Sequence, residues 1–307
     1  MKLSEFRERF DAFHRQRDPD VALKIFASLA PGIRLNARKF DAGYSVFRSV
    51  PWPELPLTQN KLSYPPTQFA RLGRCNAEGE QVFYASHHPS NTFAEQKDLK
   101  VGDRFAIGRW TIKQDVFVVL IGFTEHEEQS LIKPVHEKLH NSISKHAHAR
   151  FRKYFKSKGP DYYPQTSSIA RFLMRTRYPG TLSAELEGNE TPLAYASVEY
   201  PNNEILAVNF AIPKSFVDIH MELTTAEYIE VSSISKDQVN YKVLYATDRI
   251  SGNGELCWIE QREWALKRGE EIQLAISRGD LTWKAIDPKS GQTIEGIPVN
   301  ETIHFSE

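Results

Sequence analysis

Residues Val116 to Phe123, VFVVLIGF, form the longest apolar run in the chain. Successive side chains of a strand point to opposite faces, so a run apolar on both faces belongs inside a sheet covered on both sides. Eight residues are too few to cross a bilayer as a helix, which takes about 20. The segment Phe105 to Ile112 just before it reads as a neighbouring strand. A covered sheet with interior strands is therefore the element around which the rest of the chain has to be placed.

The N-terminal region is helical in pattern. Leu3, Phe6, Phe10 and Phe13 recur at three- and four-residue spacing, with Ser4 available as a cap. A second short helix is expected from Val21 to Leu29, stopped by Pro31-Gly32. Tyr44 to Val50 alternates like a strand, and Pro51, Pro53, Pro56, Pro65 and Pro66 make the following stretch loop. Glu125 to Lys158 reads as a basic, His-rich helix, and Ser167 to Met174 as another. Beyond Thr191 the character turns to β, with candidate strands Leu193–Glu199, Ile205–Ile212, Tyr228–Val231 and Tyr241–Ala246. The last fifty residues set short runs between glycines, as a small β-rich appendage would. The expected class is α+β, divided into an N-terminal helical extension (1–43), a central domain (44–240) and a β-rich C-terminal appendage (241–307).

Composition narrows the function classes. A formal net charge of zero over 307 residues does not suit a chain that as a whole embraces nucleic acid or anionic lipid. Two cysteines, Cys75 and Cys257, supply neither a disulfide framework nor a Cys-rich zinc site. The charged N-terminus lacks the apolar core of a secretory signal. A cytoplasmic protein in a reducing compartment, with no membrane and no nucleic-acid partner, is the expectation.

The chemistry concentrates between Arg71 and Glu95, RLGRCNAEGEQVFYASHHPSNTFAE. Arg74, Tyr84 and Glu95 lie about one element apart, separated by a Gly turn, a strand-like run from Gln81 to Ser86 and a helix start at Pro89 to Thr92. A cation, an aromatic plate and a carboxylate on adjoining elements suit an anionic nucleotide carrying a cationic ring. Arg74 and Arg71 are available for phosphate, Tyr84 for stacking and Glu95 for developing positive charge. Taken singly, each has a plainer account: a solvated arginine, a packing tyrosine, and a first-turn glutamate complementing a helix dipole.

The segment resembles the RES domain. Val46-Phe47-Arg48-Ser49-Val50 matches that family's early strand. Gly73-Arg74-Cys75-Asn76, Tyr84-Ala85-Ser86 and Ala94-Glu95 match its core motif. Tyr195-Ala196-Ser197-Val198 and Asn209-Phe210-Ala211-Ile212-Pro213 match its downstream segments. The similarity runs over roughly residues 44 to 215. It implies an ADP-ribosyltransferase-like fold, a split mixed β-sheet with flanking helices and a cleft for NAD. It also implies cleavage of the nicotinamide–ribose bond, by phosphorolysis with inorganic phosphate as co-substrate or by hydrolysis. Carried onto this chain, Glu95, Arg74, Tyr84 and Ser197 become the catalytic set, and Arg48, Arg74, Tyr84 and Asn209 the NAD-binding set. NAD is then a substrate, and no metal or resident cofactor is implied. Several members are toxins restrained by an antitoxin, so a protein partner is part of the implication. Cys75 and Ala196 depart from the usual aromatic and proline at those places, which bears on pocket shape and rate. A non-catalytic NAD or ADP-ribose binder, or an ADP-ribosyltransferase, is the alternative on the same fold.

His136-Glu137-Lys138-Leu139-His140 reads H-E-x-x-H, the pattern of a zinc peptidase helix, and His146 follows at a third-ligand interval. Ile143 stands where the glycine of the longer zinc-peptidase pattern belongs, and the surrounding helix is polar rather than apolar. The match is taken as coincidental. The lysines and arginines of the same helix read as a solvated face.

Overall fold

The computed structural model describes residues 1–94, 96, 98–123, 141–176, 190–197, 208–234 and 239–260, together with strand segments at 263–266, 273–276, 282–286, 293–298 and 302–305. The chain forms two compact units: residues 1–49, 60–99 and 108–224 make the first, and 50–59, 100–107 and 225–307 the second. It is a mixed α+β protein. Among the described residues no helix is long and apolar enough to cross a membrane.

The first unit holds, wholly or in part, strands β1 (Ala37–Phe40), β2 (Ser45–Pro51), β3 (Val82–Ser86), β4 (Arg104–Ile112), β5 (Val116–Ile121), β6 (Leu193–Ala196) and β7 (Val208–Pro213); the last two residues of β2 and the first four of β4 are counted with the second unit. Their order is β1-β5-β6-β7-β3-β2-β4. The β5–β6 pair is parallel, while β1–β5, β6–β7, β7–β3 and β3–β2 are antiparallel. The apolar run of β5 thus lies between two strands, as its two-faced pattern requires, and the strand stops at Ile121. Gly122 follows at φ +75°, where an added Cβ would stand 2.9 Å from the Cβ of Phe155. Glycine is needed there both for the backbone turn and for the close approach.

Helices α1 (Leu3–Arg15), α2 (Pro19–Leu29), α3 (Pro89–Ala94), α4 (Ser142–Phe155), α5 (Tyr163–Arg175) and α6 (Lys214–His220) complete the unit. The apolar stripe read in α1 is its buried face: Phe6, Phe10 and Phe13 are fully covered. Phe10 meets Phe151 and Tyr154 of α4, and Phe13 meets Phe26 of α2. These rings share one core cluster with Val119, Ile121, Leu193 and Ala211 of the sheet. The N-terminal helices are therefore part of the core on which the sheet rests. Ser4 is not the cap of α1: it lies inside the first turn and Lys2 occupies the cap position without a side-chain bond. In α2 the cap is Asp18, whose carboxylate accepts from the amides of Asp20 and Val21 at 2.8 and 3.1 Å.

Ten of the thirteen residues of α5 are buried, although its sequence is polar. Several of its polar groups bond to the neighbouring helices. Gln165 Nε2 donates to the carbonyls of His14 and Gln16 at 2.9 and 2.6 Å, satisfying the open C-terminal end of α1. Ser168 Oγ donates to Pro19 O at 2.7 Å, at the start of α2. The helix expected from 125 to 158 is described only as α4, because residues 124–140 lie outside the described set. Two elements had no forerunner in the sequence pattern: β1, which falls in the region expected to be helical, and α6.

From Thr225 onward the described regular elements of the second unit are all strands, continuing the character expected beyond Thr191. Strand β8 (Met221–Ile234), which begins in the first unit, pairs antiparallel with β9 (Val239–Thr247) through two register shifts, and β10 (Ile259–Glu260) adds to β9. Tyr228 anchors this hairpin by donating to Pro53 O at 3.0 Å. Further on, β11 (Glu263–Leu266) pairs parallel with β15 (Thr302–Phe305). The strands β12 (Gln273–Ile276), β13 (Thr282–Ile286) and β14 (Thr293–Pro298) form an antiparallel meander.

Candidate functional site

A cleft of about 310 Å³ opens in the first unit, at the lower end of the ~300–1,000 Å³ usual for small-molecule sites. Its floor follows from strand register. Phe47 on β2 pairs with Ser86 on β3, Ser86 with Asn209 on β7, and Asn209 with Tyr195 on β6. Directly paired residues project to the same face of a sheet. All four line the cleft. Tyr84, two residues before Ser86, shares that face and lines it too.

Arg48 and Arg74 supply the cations. On β2, Arg48 donates from Nε to Ser63 O at 3.0 Å and from Nη1 to Tyr84 O at 2.8 Å. Its guanidinium lies 5.5 Å from the centre of the Phe83 ring. Burial pulls its pKa down to about 10, so it remains a cation at neutral pH. Arg74, on the loop before β3, donates to Phe155 O and, at 3.1 Å, to Ser157 O, closing off carbonyls at the C-terminal end of α4. Tyr163 of α5 holds its ring 5.9 Å from the same guanidinium. Among the described residues neither arginine pairs with a carboxylate, and no Asp or Glu lines the cleft. Among the described lining residues these two guanidinium groups, held by neutral carbonyls, are the charged groups, and they suit an anion.

Tyr84 is held at its far end. Its hydroxyl donates to Asn76 Oδ1 at 2.8 Å and accepts from Cys75 N at 2.8 Å. Asn76 in turn donates from Nδ2 to Arg71 O and Ala77 O at 2.7 and 2.8 Å. Burial raises the phenol's pKa well above its ordinary value, so Tyr84 stays neutral and offers the cleft a ring rather than a proton. Gly73 is required beneath this network. A Cβ there would stand 2.5 Å from Asn76 Oδ1 and 3.0 Å from the Tyr84 hydroxyl.

Polar side chains fill the remaining wall. Ser86 Oγ donates to Asn209 Oδ1 at 2.7 Å, on the buried floor. Thr92 of α3, Gln96 and Ser49 form the opposite side, with Gln96 Nε2 donating to Ser49 Oγ at 3.3 Å. Of the residues expected from the sequence, Arg48, Arg74, Tyr84 and Asn209 come together here. Ser197 is buried just past the end of β6 and is not among the lining residues. Glu95 and the H-E-x-x-H residues His136, Glu137 and His140 lie outside the described residues. Among the described residues no group of three His, Cys, Asp or Glu is placed to hold a metal ion.

Sequence reasoning missed Ser49, Thr92, Gln96, Tyr163 and Tyr195, and gave Ser86 no role. Ser86 and Tyr195 sit inside the quoted motif segments and follow from strand alternation once Tyr84 and Asn209 are placed. Tyr163 had no such signal, because α5 reaches the cleft only through the packing of the helical layer. The two departures from the RES pattern, Cys75 and Ala196, are both buried and neither lines the cleft. Cys75 belongs to the helical core cluster, where burial pushes its thiol up to about 12 and leaves it unreactive at neutral pH.

Comparison with models of known protein families, with curated proteins and with solved structures gives no match.

Proposed function

We propose that this chain is an NAD-cleaving enzyme of the RES type, with an ADP-ribosyltransferase-like sheet as its scaffold. The observation that carries the reading is the convergence of Arg48, Arg74, Tyr84 and Asn209 on one cleft without a carboxylate among its described lining residues. The outermost of these four residues, Arg48 and Asn209, are 161 positions apart in sequence.

In this reading the arginines hold the pyrophosphate and the Tyr84 ring carries the nicotinamide. The glycosidic C–N bond breaks with its electron pair going to the ring nitrogen, so that neutral nicotinamide leaves. The ribosyl cation that develops at the anomeric carbon takes an oxygen from phosphate or water, and water as acceptor gives up a proton. Glu95, one residue beyond the end of α3, supplies the carboxylate that steadies the cation. The neutral, tethered Tyr84 takes no part in proton transfer. Ser86 and Asn209 offer hydroxyl and amide groups to the ribose or the carboxamide.

Purified protein is incubated with NAD, with and without phosphate, and products are followed by mass. Phosphate-dependent release of nicotinamide with ADP-ribose 1″-phosphate identifies a phosphorylase, and phosphate-independent ADP-ribose a glycohydrolase. Glu95→Gln is expected to abolish release in either case. Intact NAD together with tight ADP-ribose binding would replace the enzyme by a binding module. The absence of both turnover and binding would overturn the reading.

A further inference from the structure

The hydroxyls around the Arg48–Arg74 cleft differ in what they still have to give. Tyr84 donates to Asn76 Oδ1 at 2.8 Å, Ser86 to Asn209 Oδ1 at 2.7 Å, Thr92 to Pro89 O at 2.6 Å and Ser49 to Thr92 O at 3.4 Å. Those protons are spent inside the protein. Tyr163 also lines the cleft, and its hydroxyl makes no hydrogen bond among the described residues. The side chain is half-buried and its hydroxyl keeps accessible surface. A polar group left uncommitted in the wall of a concave site is a contact for a ligand.

Its place in the fold says which part of a ligand it meets. Tyr163 is the first residue of α5, with its amide bonded to Pro160 O at 2.9 Å and Pro164 fixing the backbone after it. Tyr162 beside it packs on Tyr154 of α4, ring centres 5.0 Å apart. The side chain therefore stands on a rigid element, as a positioned contact requires. Its ring lies 5.9 Å from the Arg74 guanidinium. Arg74 gives N–H groups to Phe155 O and Ser157 O, which uses only part of the donor set of its fork. A planar cation with donors to spare and a phenol with an uncommitted proton thus share one corner of the cleft. Both donate, so the group they suit is an acceptor with negative charge and more than one oxygen.

We propose that Tyr163 is a specificity-determining residue of this cleft, its hydroxyl donating to a phosphate oxygen of the ligand whose charge Arg74 meets. Hydroxyl and guanidinium then hold different oxygens of one phosphate group, and the Tyr163 ring limits how the guanidinium plane can turn. A phosphorylated ligand is favoured over the same ligand without its phosphate. That the phosphate belongs to the pyrophosphate of NAD rests on the function proposed above; the contact with phosphate does not.

The test is calorimetric titration of the full chain with inorganic pyrophosphate and, separately, with ADP-ribose, in the wild type and in Tyr163→Phe. Phenylalanine keeps the ring beside Arg74 and removes only the hydroxyl. Both ligands are expected to bind the variant about tenfold more weakly, the order of a hydrogen bond to a charged group. The urea midpoint should not move, since no bond within the described protein is lost. Tyr163→Leu, which also removes the ring, should lose more affinity than Tyr163→Phe. Wild-type affinity in Tyr163→Phe, or a midpoint that falls in step with affinity, would overturn the assignment. Pyrophosphate binding that depends on Tyr163, without ADP-ribose binding, would keep the assignment and remove NAD as the ligand. ADP-ribose binding indifferent to Tyr163→Phe would keep NAD and remove the contact. No binding of either ligand would overturn both.

Discussion

The hydroxyl of Tyr84 on β3 donates to Oδ1 of Asn76, 2.8 Å away on the preceding loop, and this bond sets where the Tyr84 ring stands in the cleft. The ring and the hydroxyl have separable work. Tyr84→Phe keeps the ring and leaves Asn76 Oδ1 and the Cys75 amide without their partner. It should cost about 1–3 kcal/mol of stability and retain most nicotinamide release. Tyr84→Ala should lose release altogether. Asn76→Ala, which also frees the Arg71 and Ala77 carbonyls, should cost at least as much stability as Tyr84→Phe, and both should raise KM for NAD because either change unties the ring. Gly73→Ala, which drives a methyl into both partners, should reproduce the Asn76→Ala phenotype. Urea midpoints and KM for NAD across the four variants check this.

Much of the site was legible because strand alternation and motif spacing are local. Tyr84 and Ser86 lie on one face of β3 by period two, and Arg48 sits on a strand read at nearly its observed limits. What local pattern could not deliver was pairing across the chain. The Ser86–Asn209–Tyr195 row joins residues more than a hundred positions apart through strand order, and strand order is decided by packing. The same holds for the helical lead. Its amphipathic stripe was plain, but that the stripe faces α4, α5 and the sheet follows only from the aromatic cluster of Phe10, Phe13, Phe26, Phe151 and Tyr154. Strand β1 was missed because four residues, ARKF, carry too little pattern to outweigh the helices before them. Helix α6 is seven residues long and was hidden for the same reason.

Glu80 ties the turn before β3 to the helical layer. Its Oε1 accepts from Arg171 Nε at 2.9 Å and Arg175 Nη2 at 2.8 Å, and its Oε2 from the Ala77 amide at 2.9 Å. The Arg171 side chain is only 10% exposed, while its other acid partner, Asp20, is 73% exposed. Removing Glu80 therefore leaves a nearly buried guanidinium with one solvated partner. Glu80→Ala should cost about 2–3 kcal/mol, somewhat under the loss for a fully buried pair, since Glu80 keeps some exposure. Asp20→Ala should cost well under about 1 kcal/mol. The comparison is made by urea denaturation at one pH.

Acid should weaken the helical layer through two histidines. His14 stacks on Tyr154 with ring centres 5.6 Å apart, and burial, followed by the nearby Arg150 and Lys153, lowers its pKa, against an opposing pull from Asp11. His146 packs edge-on against Phe6 and Phe10 with its Nε2 unpartnered, and burial, then Arg150 and Arg7, lowers its pKa likewise. A lowered native pKa means that below the ordinary histidine value of about 6.5 the unfolded chain binds more protons than the native one. Stability is therefore full above that value and falls as pH drops through it towards the native pKa values. Denaturation midpoints should fall from pH 7.5 to pH 5.5. The fall should be smaller in His146→Leu, which keeps an apolar ring contact without a titrating group. An equal fall in that variant would remove His146 from the account.

Arg74 has two roles that substitution can separate. As a strut it closes the carbonyls of Phe155 and Ser157, and as a cleft residue it presents a cation to whatever anion binds. Arg74→Ala removes both. It should lower stability by about 1–3 kcal/mol and reduce kcat/KM for NAD by roughly 10- to 100-fold. Arg74→Lys keeps the charge but replaces a planar fork with a point donor, which cannot satisfy two carbonyls in the same geometry. Its stability should stay close to that of the alanine variant, while binding of ADP-ribose recovers most of the loss. Stability and ligand affinity would then move apart between the two variants, as a residue touching the anion requires. If instead affinity tracked the denaturation midpoint in both, Arg74 would act on the cleft only by holding the end of α4 in place, and Arg48 would be left as the sole arginine of the described lining to grip the substrate.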